Sequence, residues 1–136
     1  KVVEIADSGQ AQFRTLYEDN LTLWEKVRTI ARSLYGAEDI IADKKVRQQF
    51  SQLEEDGFGR LPVCMAKTQY SFSTDPDLKG APVNHVVPIR EVRLSSGAEF
   101  LVVVCGDIMT MPGLGSRPAF FDVDVDPETG KTVGLF

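Results

Sequence analysis

The stretch that decides the fold reads FLVVVC at residues 100–105. Its β-branched and aromatic residues favour a strand, and a continuous apolar run is typical of a strand buried on both faces. A shorter run of the same kind, VCMA, lies upstream at residues 63–66. Between them, residues 86–94 interleave apolar and polar side chains, as a strand with one buried face does. The second half of the chain is therefore predicted to form a sheet.

A further strand is predicted near the carboxyl end. Phenylalanine and valines alternate with aspartates over residues 121–126, which predicts one dry and one wet face. The turn residues 127–130 then allow residues 132–136 to pair back as a hairpin.

Two amphipathic helices are predicted ahead of these strands. Thr22 and Glu25 have the spacing of a capping box, and apolar residues recur at helical spacing as far as Gly36, which stops the helix. The second helix begins near Asp43. The predicted helices cover residues 22–35 and 43–56.

The order of these elements indicates the fold class. Helices come first and strands follow, whereas a doubly wound parallel sheet alternates strand and helix throughout. We predict one α+β domain over residues 1–136, with the helices packed on a mixed or antiparallel sheet. Residues 2–5 resemble the tail of a helix whose beginning is missing, so Val2, Val3, Ile5 and Trp24 are expected to leave apolar surface that favours self-association.

Composition excludes several classes of function. The 136-residue chain has a net charge of −5 and no basic stripe, so neither nucleic acid nor a membrane is an expected partner. Both Cys64 and Cys105 lie in apolar runs and are expected to be reduced, structural thiols, with a disulfide left open. Without a recognisable signal peptide at its start, the chain is expected to be cytoplasmic.

Three short motifs suggest phosphate binding, calcium binding or catalysis, but each lacks support from the residues around it. Residues 130–132, Gly-Lys-Thr, resemble the end of a phosphate loop, but valine stands at position 125 where a glycine is needed. The aspartates at 122, 124 and 126 lack the glycine and glutamate of a calcium loop. The only histidine, His85, is more typical of a structural residue than of a catalytic one.

A candidate binding site follows the strand at 63–66. Lys67 offers a compact ammonium group suited to phosphate or carboxylate, and long loops such as 73–84 and 106–118 are often functional. Small residues at 80–82 leave room for a flat ring, and methionines give adaptable apolar contact. The predicted substrate-binding residues are Lys67, Thr68, Gln69, Gly80, Ala81, Pro82, Met109, Met111, Pro112 and Gly113. The structural alternative pairs Lys67 with a carboxylate such as Asp107 and buries the methionines in the core.

Four stretches together resemble one family in their order and spacing. They are LYGA at 34–37, GFGRLPVCMAKTQYSFS at 57–73, REVRLSSGA at 90–98 and GDIMTMPGL at 106–114. The family is formate–tetrahydrofolate ligase, and the resemblance covers essentially the whole chain. It departs at Asn84 and His85 and at Gly115–Ser116, where the family usually has other residues.

The resemblance implies an activity for a longer parent protein. The family makes 10-formyltetrahydrofolate from formate, tetrahydrofolate and ATP with magnesium, through formyl phosphate, and its phosphate loop lies upstream of the part that this chain resembles. The chain is therefore expected to be a C-terminal domain whose partners are the remaining domains of the same polypeptide, in a homo-oligomer. Alone it is expected to bind no cofactor and to be inactive. The alternative is a stand-alone, non-enzymatic interaction domain derived from this family.

Overall fold

A computed structural model of the chain describes residues 1–12, 14–108 and 115–135. Its helices are α1 (Val2–Asp7), α2 (Leu23–Tyr35) and α3 (Lys44–Glu55). Its strands are β1 (Asp39–Ala42), β2 (Val63–Ala66), β3 (Val86–Ile89), β4 (Glu91–Ser95), β5 (Phe100–Val104), β6 (Asp124–Val125) and β7 (Thr132–Val133). Short 3-10 turns lie at Phe58–Arg60, Ser96–Ala98 and Ala119–Phe121.

Both predicted central helices are confirmed, and each begins at a side-chain cap. The Thr22 hydroxyl accepts the Glu25 amide at 3.2 Å, and an Asp43 carboxylate oxygen accepts the Val46 amide at 2.8 Å. These caps satisfy backbone donors that have no partner inside the helix. Gly36 ends α2 in the left-handed conformation, with φ of 64°.

The sheet is mixed, as predicted, which confirms the α+β class. β5 lies in the middle of a three-stranded sheet, parallel to β2 and antiparallel to β4. A separate parallel pair joins β1 to β3. Leu101 and Val103 are fully buried in one core with the apolar faces of α2 and α3.

The expectation that β5 is buried on both faces is wrong for one of them. Leu101 and Val103 point into the core, but Phe100, Val102 and Val104 on the opposite face are only half-buried. The helices cover one side of this sheet, so the continuous apolar run overstates the burial of the other side.

The alternating stretch at residues 86–94 forms two strands in two different sheets. Val87 and Ile89 are buried on β3, whereas the next buried residue, Val92, is three positions further on. The alternation of buried and exposed residues is interrupted at Arg90, whose amide donates to Val104 O at 2.9 Å. One residue therefore separates the two strands.

The carboxyl-terminal hairpin is confirmed, but its dry face is not. β6 and β7 pair antiparallel around the predicted turn, with Asp124 opposite Val133. Phe121 lies in a 3-10 turn rather than a strand and is 65% exposed, and Val125 is 56% exposed. A hairpin with two residues in each strand is too short to hold these side chains against the core.

Exposure of the amino-terminal apolar residues matches the expectation for α1 but not for Trp24. Val2 and Val3 are 83% and 71% exposed, and Ile5 is half exposed. Trp24 instead packs edge-on against Phe50, with ring centroids 5.7 Å apart. Self-association through α1 stays a prediction. None of the helices that the structure describes is both long and apolar enough to cross a membrane.

A buried lysine joins α2 to the segment that leads into β2. Lys26 is fully buried, and its Nζ donates to Gly59 O at 2.8 Å and to Leu61 O at 3.3 Å. Burial lowers the pKa of this ammonium group, opposed by the charges of Asp19 and Glu54. The lysine supplies the donors that two carbonyls need in a region that few waters reach.

We predict that Lys26→Met destabilises the chain. The methionine keeps the packing of the aliphatic stem but leaves the carbonyls of Gly59 and Leu61 without a donor. The free energy of unfolding should fall by about 1–3 kcal/mol, the usual cost of unsatisfied buried groups. Urea denaturation measures this change.

The matched control is Lys45→Met, since Lys45 is an exposed lysine on α3. That variant should stay within about 0.5 kcal/mol of the unsubstituted chain. Equal stability of both variants would contradict the structural role of Lys26.

Candidate ligand-binding cleft

The parallel pairing of β2 and β5 brings several polar segments to one edge of the sheet. Lys67 follows β2 directly and Gly106 lies just beyond β5, so both emerge where these parallel strands end. β4 runs the other way and begins at the same edge, which places Arg90 there as well. Ligands of open sheets with parallel strands commonly bind outside the carboxyl ends of the strands.

The ammonium group of Lys67 is held by carbonyls and an aromatic ring. Its Nζ donates to Thr68 O at 2.9 Å and to Ser71 O, and it lies 4.9 Å from the centroid of the Tyr35 ring. Burial lowers the pKa of Lys67, and Cys105 opposes that shift only where its thiol is ionised. The group is half-buried, which makes its charge more effective than that of a fully solvated lysine.

The alternative that pairs Lys67 with Asp107 is wrong. The Asp107 carboxylate instead accepts from the Arg90 guanidinium, and that ion pair lies at the surface. Across the described ranges, Lys67 forms no salt bridge with a carboxylate. Its positive charge is therefore not neutralised by a described carboxylate, and an anion that approaches this edge of the sheet could pair with it.

Two buried serines close the loop that follows Lys67. The hydroxyls of Ser71 and Ser73 lie 2.9 Å apart, and the Ser71 hydroxyl also donates to Leu78 O. The backbone closes the same loop, since Phe72 N donates to Gly80 O at 2.9 Å. Sequence reasoning missed these serines, because hydroxyl residues in a polar loop resemble solvated ones; their alternate spacing was the available signal.

The first cavity collects most of the described residues that the sequence predicted. It has a volume of about 560 Å³ and contains Lys67, Thr68, Gln69, Gly80 and Ala81 in its wall. Tyr35, Tyr70 and Phe72 add aromatic surface. Gly80 has φ of 81° and open space where a side chain would stand. Pro82 does not line this cavity.

A second cavity of about 620 Å³ shares Lys67, Thr68 and Gln69 with the first. Arg90, Cys105 and Asp107 complete its polar side, and Ile108 lies at its edge. The predicted residues Met109, Met111, Pro112 and Gly113 fall outside the described residues. Lys67 therefore stands between two cavities, and its ammonium group is the main positive charge of the first.

Other chemistry that the sequence suggested has less support from the geometry. In the described part of the chain, no three His, Cys, Asp or Glu residues are grouped closely enough to hold a metal ion. His85 lines neither cavity, and both imidazole nitrogens are buried without a partner among the described residues. Among the described residues, the cleft therefore has a cation and aromatic surface but not the arrangement of a triad or a metal centre.

The fold is an α+β domain, and its candidate cleft brings the Lys67 ammonium group and several aromatic rings together at one edge of a sheet. The family model for formate–tetrahydrofolate ligase matches residues 1–136. The chain belongs to the formate–tetrahydrofolate ligase family.

Individual relatives agree with this assignment. The chain is 57% identical, over all 136 residues, to a formate–tetrahydrofolate ligase of Ruegeria sp. strain TM1040, and 54% identical to one of Granulibacter bethesdensis. A ligase of Beijerinckia indica is 56% identical over the same length. In each case the match covers 24% of the relative, so this chain spans about a quarter of the length of these proteins.

We predict that the two thiols differ sharply in reactivity. Cys64 is exposed, whereas Cys105 is buried in the cleft wall and desolvation raises its pKa to about 12. At pH 8 only about one Cys105 in 10,000 would be a thiolate, the reactive form. A disulfide-exchange dye should modify one thiol per chain under native conditions and two after unfolding.

The control is Cys64→Ser, which should leave no thiol that reacts in the folded chain. A second native thiol that reacts as fast as Cys64 would show that Cys105 is not buried in the way described.

Proposed function

We propose that this chain is the C-terminal domain of an ATP-dependent ligase that formylates tetrahydrofolate. The reaction would activate formate as formyl phosphate, at the expense of ATP, and give 10-formyltetrahydrofolate. Membership of the family supports this proposal, and the observation that carries it to this chain is the Lys67 ammonium group, which faces two cavities and pairs with no described carboxylate. A cytosolic location and assembly into a homo-oligomer belong to the same proposal.

In this proposal Lys67 binds an anionic group of a substrate. The candidates are a phosphate of ATP and the carboxylate of formate, because a compact ammonium group suits both. Thr68 and Gln69 add polar side chains next to it. The carbonyls of Thr68 and Ser71 hold the ammonium in place before the ligand arrives, which lowers the entropy cost of binding.

The small residues at the far side of the first cavity receive a flat ring. Gly80 has no side chain within the open space beside it, and Ala81 is exposed. An adenine or pterin ring therefore has access to the backbone, with Tyr35 and Phe72 nearby. Pro82 and the residues Met109, Met111, Pro112 and Gly113 stay predicted contacts.

Magnesium, which the family resemblance implies, does not fit the donors that the described residues of the cleft present. The cleft carries a lysine and an Arg90–Asp107 pair rather than a group of carboxylates. In this proposal the metal binds to other parts of a complete ligase.

The second candidate function is a stand-alone interaction domain without catalysis. The exposed apolar residues of α1 and of the carboxyl-terminal hairpin favour it, because such surface commonly contacts another protein. Sequencing the coding region upstream of Lys1 separates the two. A phosphate loop in frame supports the ligase, and a start codon immediately upstream supports the interaction domain.

We predict that Lys67→Met in the complete ligase raises the KM of one anionic substrate about 10- to 100-fold, because a charge-assisted hydrogen bond is lost. Steady-state kinetics with ATP, formate and tetrahydrofolate varied in turn measure this change. The control is Lys131→Met, an exposed lysine of the hairpin, which should change none of the three constants. Unchanged constants and turnover in a correctly folded Lys67→Met enzyme would show that Lys67 is structural.

A separate substitution tests the ring. Ala81→Leu adds a branched side chain beside Gly80 and should raise the KM of the substrate that carries the ring about 10-fold or more by steric exclusion. The KM of formate, which has no ring, serves as the internal control. Equal KM values for all three substrates before and after the substitution would place the ring elsewhere.

We also predict that the 136-residue chain alone has no ligase activity. Phosphoryl transfer depends on positioned phosphate-binding groups and a metal ion, and the first cavity offers one ammonium group for both tasks. Incubation with ATP, formate and tetrahydrofolate should give no 10-formyltetrahydrofolate above the rate without protein. Turnover that purifies with the chain would contradict this expectation.

A further inference from the structure

The outer edge of β2 carries backbone groups that its neighbour β5 does not pair. Pro62 O and Ala66 O accept from Leu101 N and Cys105 N on β5, at 2.9 and 2.7 Å. Alternate residues of a strand direct their N–H and C=O groups to opposite sides, so Val63 and Met65 direct theirs away from β5. β2 is an outer strand of its sheet, and this side therefore faces outward.

One of these outward donors is already occupied within the chain. The hydroxyl oxygen of Tyr17 accepts the Val63 amide at 2.9 Å. In the part of the chain that the structure describes, the Met65 amide has no corresponding partner. The open edge is thus centred on Met65.

An apolar groove of about 410 Å³ runs along this edge. Its walls include Leu16, Ile30, Leu34, Tyr35, Val63 and Met65. Leu16 and Leu34 are each 51% exposed. Among the described residues that line it, Arg14 is the only charged one. The groove is an apolar surface beside β2, the strand that carries the Met65 amide.

Nothing in the sequence of β2 protects this edge. Natural sheets blunt an open edge with lysine, proline, a bulge or a covering segment. β2 reads VCMA and contains neither a charge nor a proline. An open strand of this kind binds an extended segment by adding it to the sheet, with main-chain hydrogen bonds for affinity and side-chain pockets for specificity.

We propose that the edge of β2 and its groove bind an extended, largely apolar segment of the ligase polypeptide outside this chain. Residues 1–136 correspond to 24% of the matched relatives, so about three quarters of such a polypeptide is available to supply the segment. This inference rests on the proposed function only in taking the rest of a ligase as the partner. The segment adds a fourth strand beside β2 and buries Leu16 and Leu34.

The size of the edge favours an occupant on the same polypeptide. Four residues of β2 and one small groove bury far less than the roughly 1,000 Å² that a stable interface between separate proteins requires. A segment connected through the same backbone has a high effective concentration, so a small contact is enough to hold it. A second copy of the chain lacks this advantage.

Hydrogen exchange at the Met65 amide tests the proposal. In the 136-residue chain this amide should exchange much faster than that of Cys64, whose backbone faces β5. In the complete ligase polypeptide the Met65 amide should exchange about 100-fold more slowly than in the shorter chain, as a backbone hydrogen bond in a sheet requires. The Cys64 amide should be slow in both and is the internal control.

Two variants of groove residues test whether the protection of the Met65 amide from exchange depends on the groove. Leu34→Glu in the complete polypeptide places a carboxylate against the apolar segment and should speed Met65 exchange at least about 10-fold. Leu16→Glu provides a second variant in the lining of the same groove. Val125→Glu, at a residue 56% exposed on β6, should leave Met65 exchange unchanged.

Three results would overturn the proposal. Equal Met65 exchange in the shorter chain and the complete polypeptide would show that no outside segment adds to β2. Protection in the shorter chain that grows with protein concentration would assign the edge to a second copy, and protection independent of concentration would assign it to residues of the chain itself. The measurement uses no substrate, so its result stands apart from the kinetic test of Lys67.

Discussion

The parallel pairing of β2 with β5 is the interaction on which both the core and the cleft depend. It places the carboxyl ends of two strands at one edge, although about 40 residues separate them in the chain. The antiparallel neighbour β4 begins at that same edge. Lys67, Arg90 and Asp107 therefore meet because of the direction in which three strands run. Reversing either pairing would send these side chains to opposite ends of the sheet.

Helix α2 connects the core to the cleft. Its buried residues lie in one core with Leu101 and Val103 of β5, and its last residue, Tyr35, contributes the ring that lies beside the Lys67 ammonium. Gly36 ends the helix at that point, so the ring stands at the wall of the first cavity. The position of this aromatic wall is therefore determined by the packing of the helix and by where it stops.

Two lysines illustrate how the same contact serves different roles. Lys26 and Lys67 both donate to backbone carbonyls, and burial lowers the pKa of both. Lys26 is fully buried, and its ammonium group donates to the carbonyls of Gly59 and Leu61 inside the fold. Lys67 is half-buried between two cavities, so its charge also reaches whatever enters them. The two lysines differ in whether a ligand can reach the ammonium group, and this difference separates a structural cation from a candidate binding residue.

The sequence by itself determined the features that depend on neighbouring residues. The caps at Thr22 and Asp43, the stop at Gly36 and the turn of the final hairpin each involve hydrogen bonds or backbone angles within a few positions. The run at 63–66 predicted a strand, which is confirmed, and the polar residues after it predicted a binding site, which stays a prediction. Family resemblance then pointed to the ligase.

Only the tertiary structure decided the features that join distant residues. It placed Tyr35 beside Lys67, paired Asp107 with Arg90 and made β2 an outer strand of its sheet. It also left one face of β5 half-buried and Phe121 exposed, where apolar patterns predicted burial. The physical reason is that burial and pairing depend on which surfaces meet after the chain folds. A local pattern records a side chain's preference for a dry environment, whereas the arrangement of helices and strands determines whether one exists.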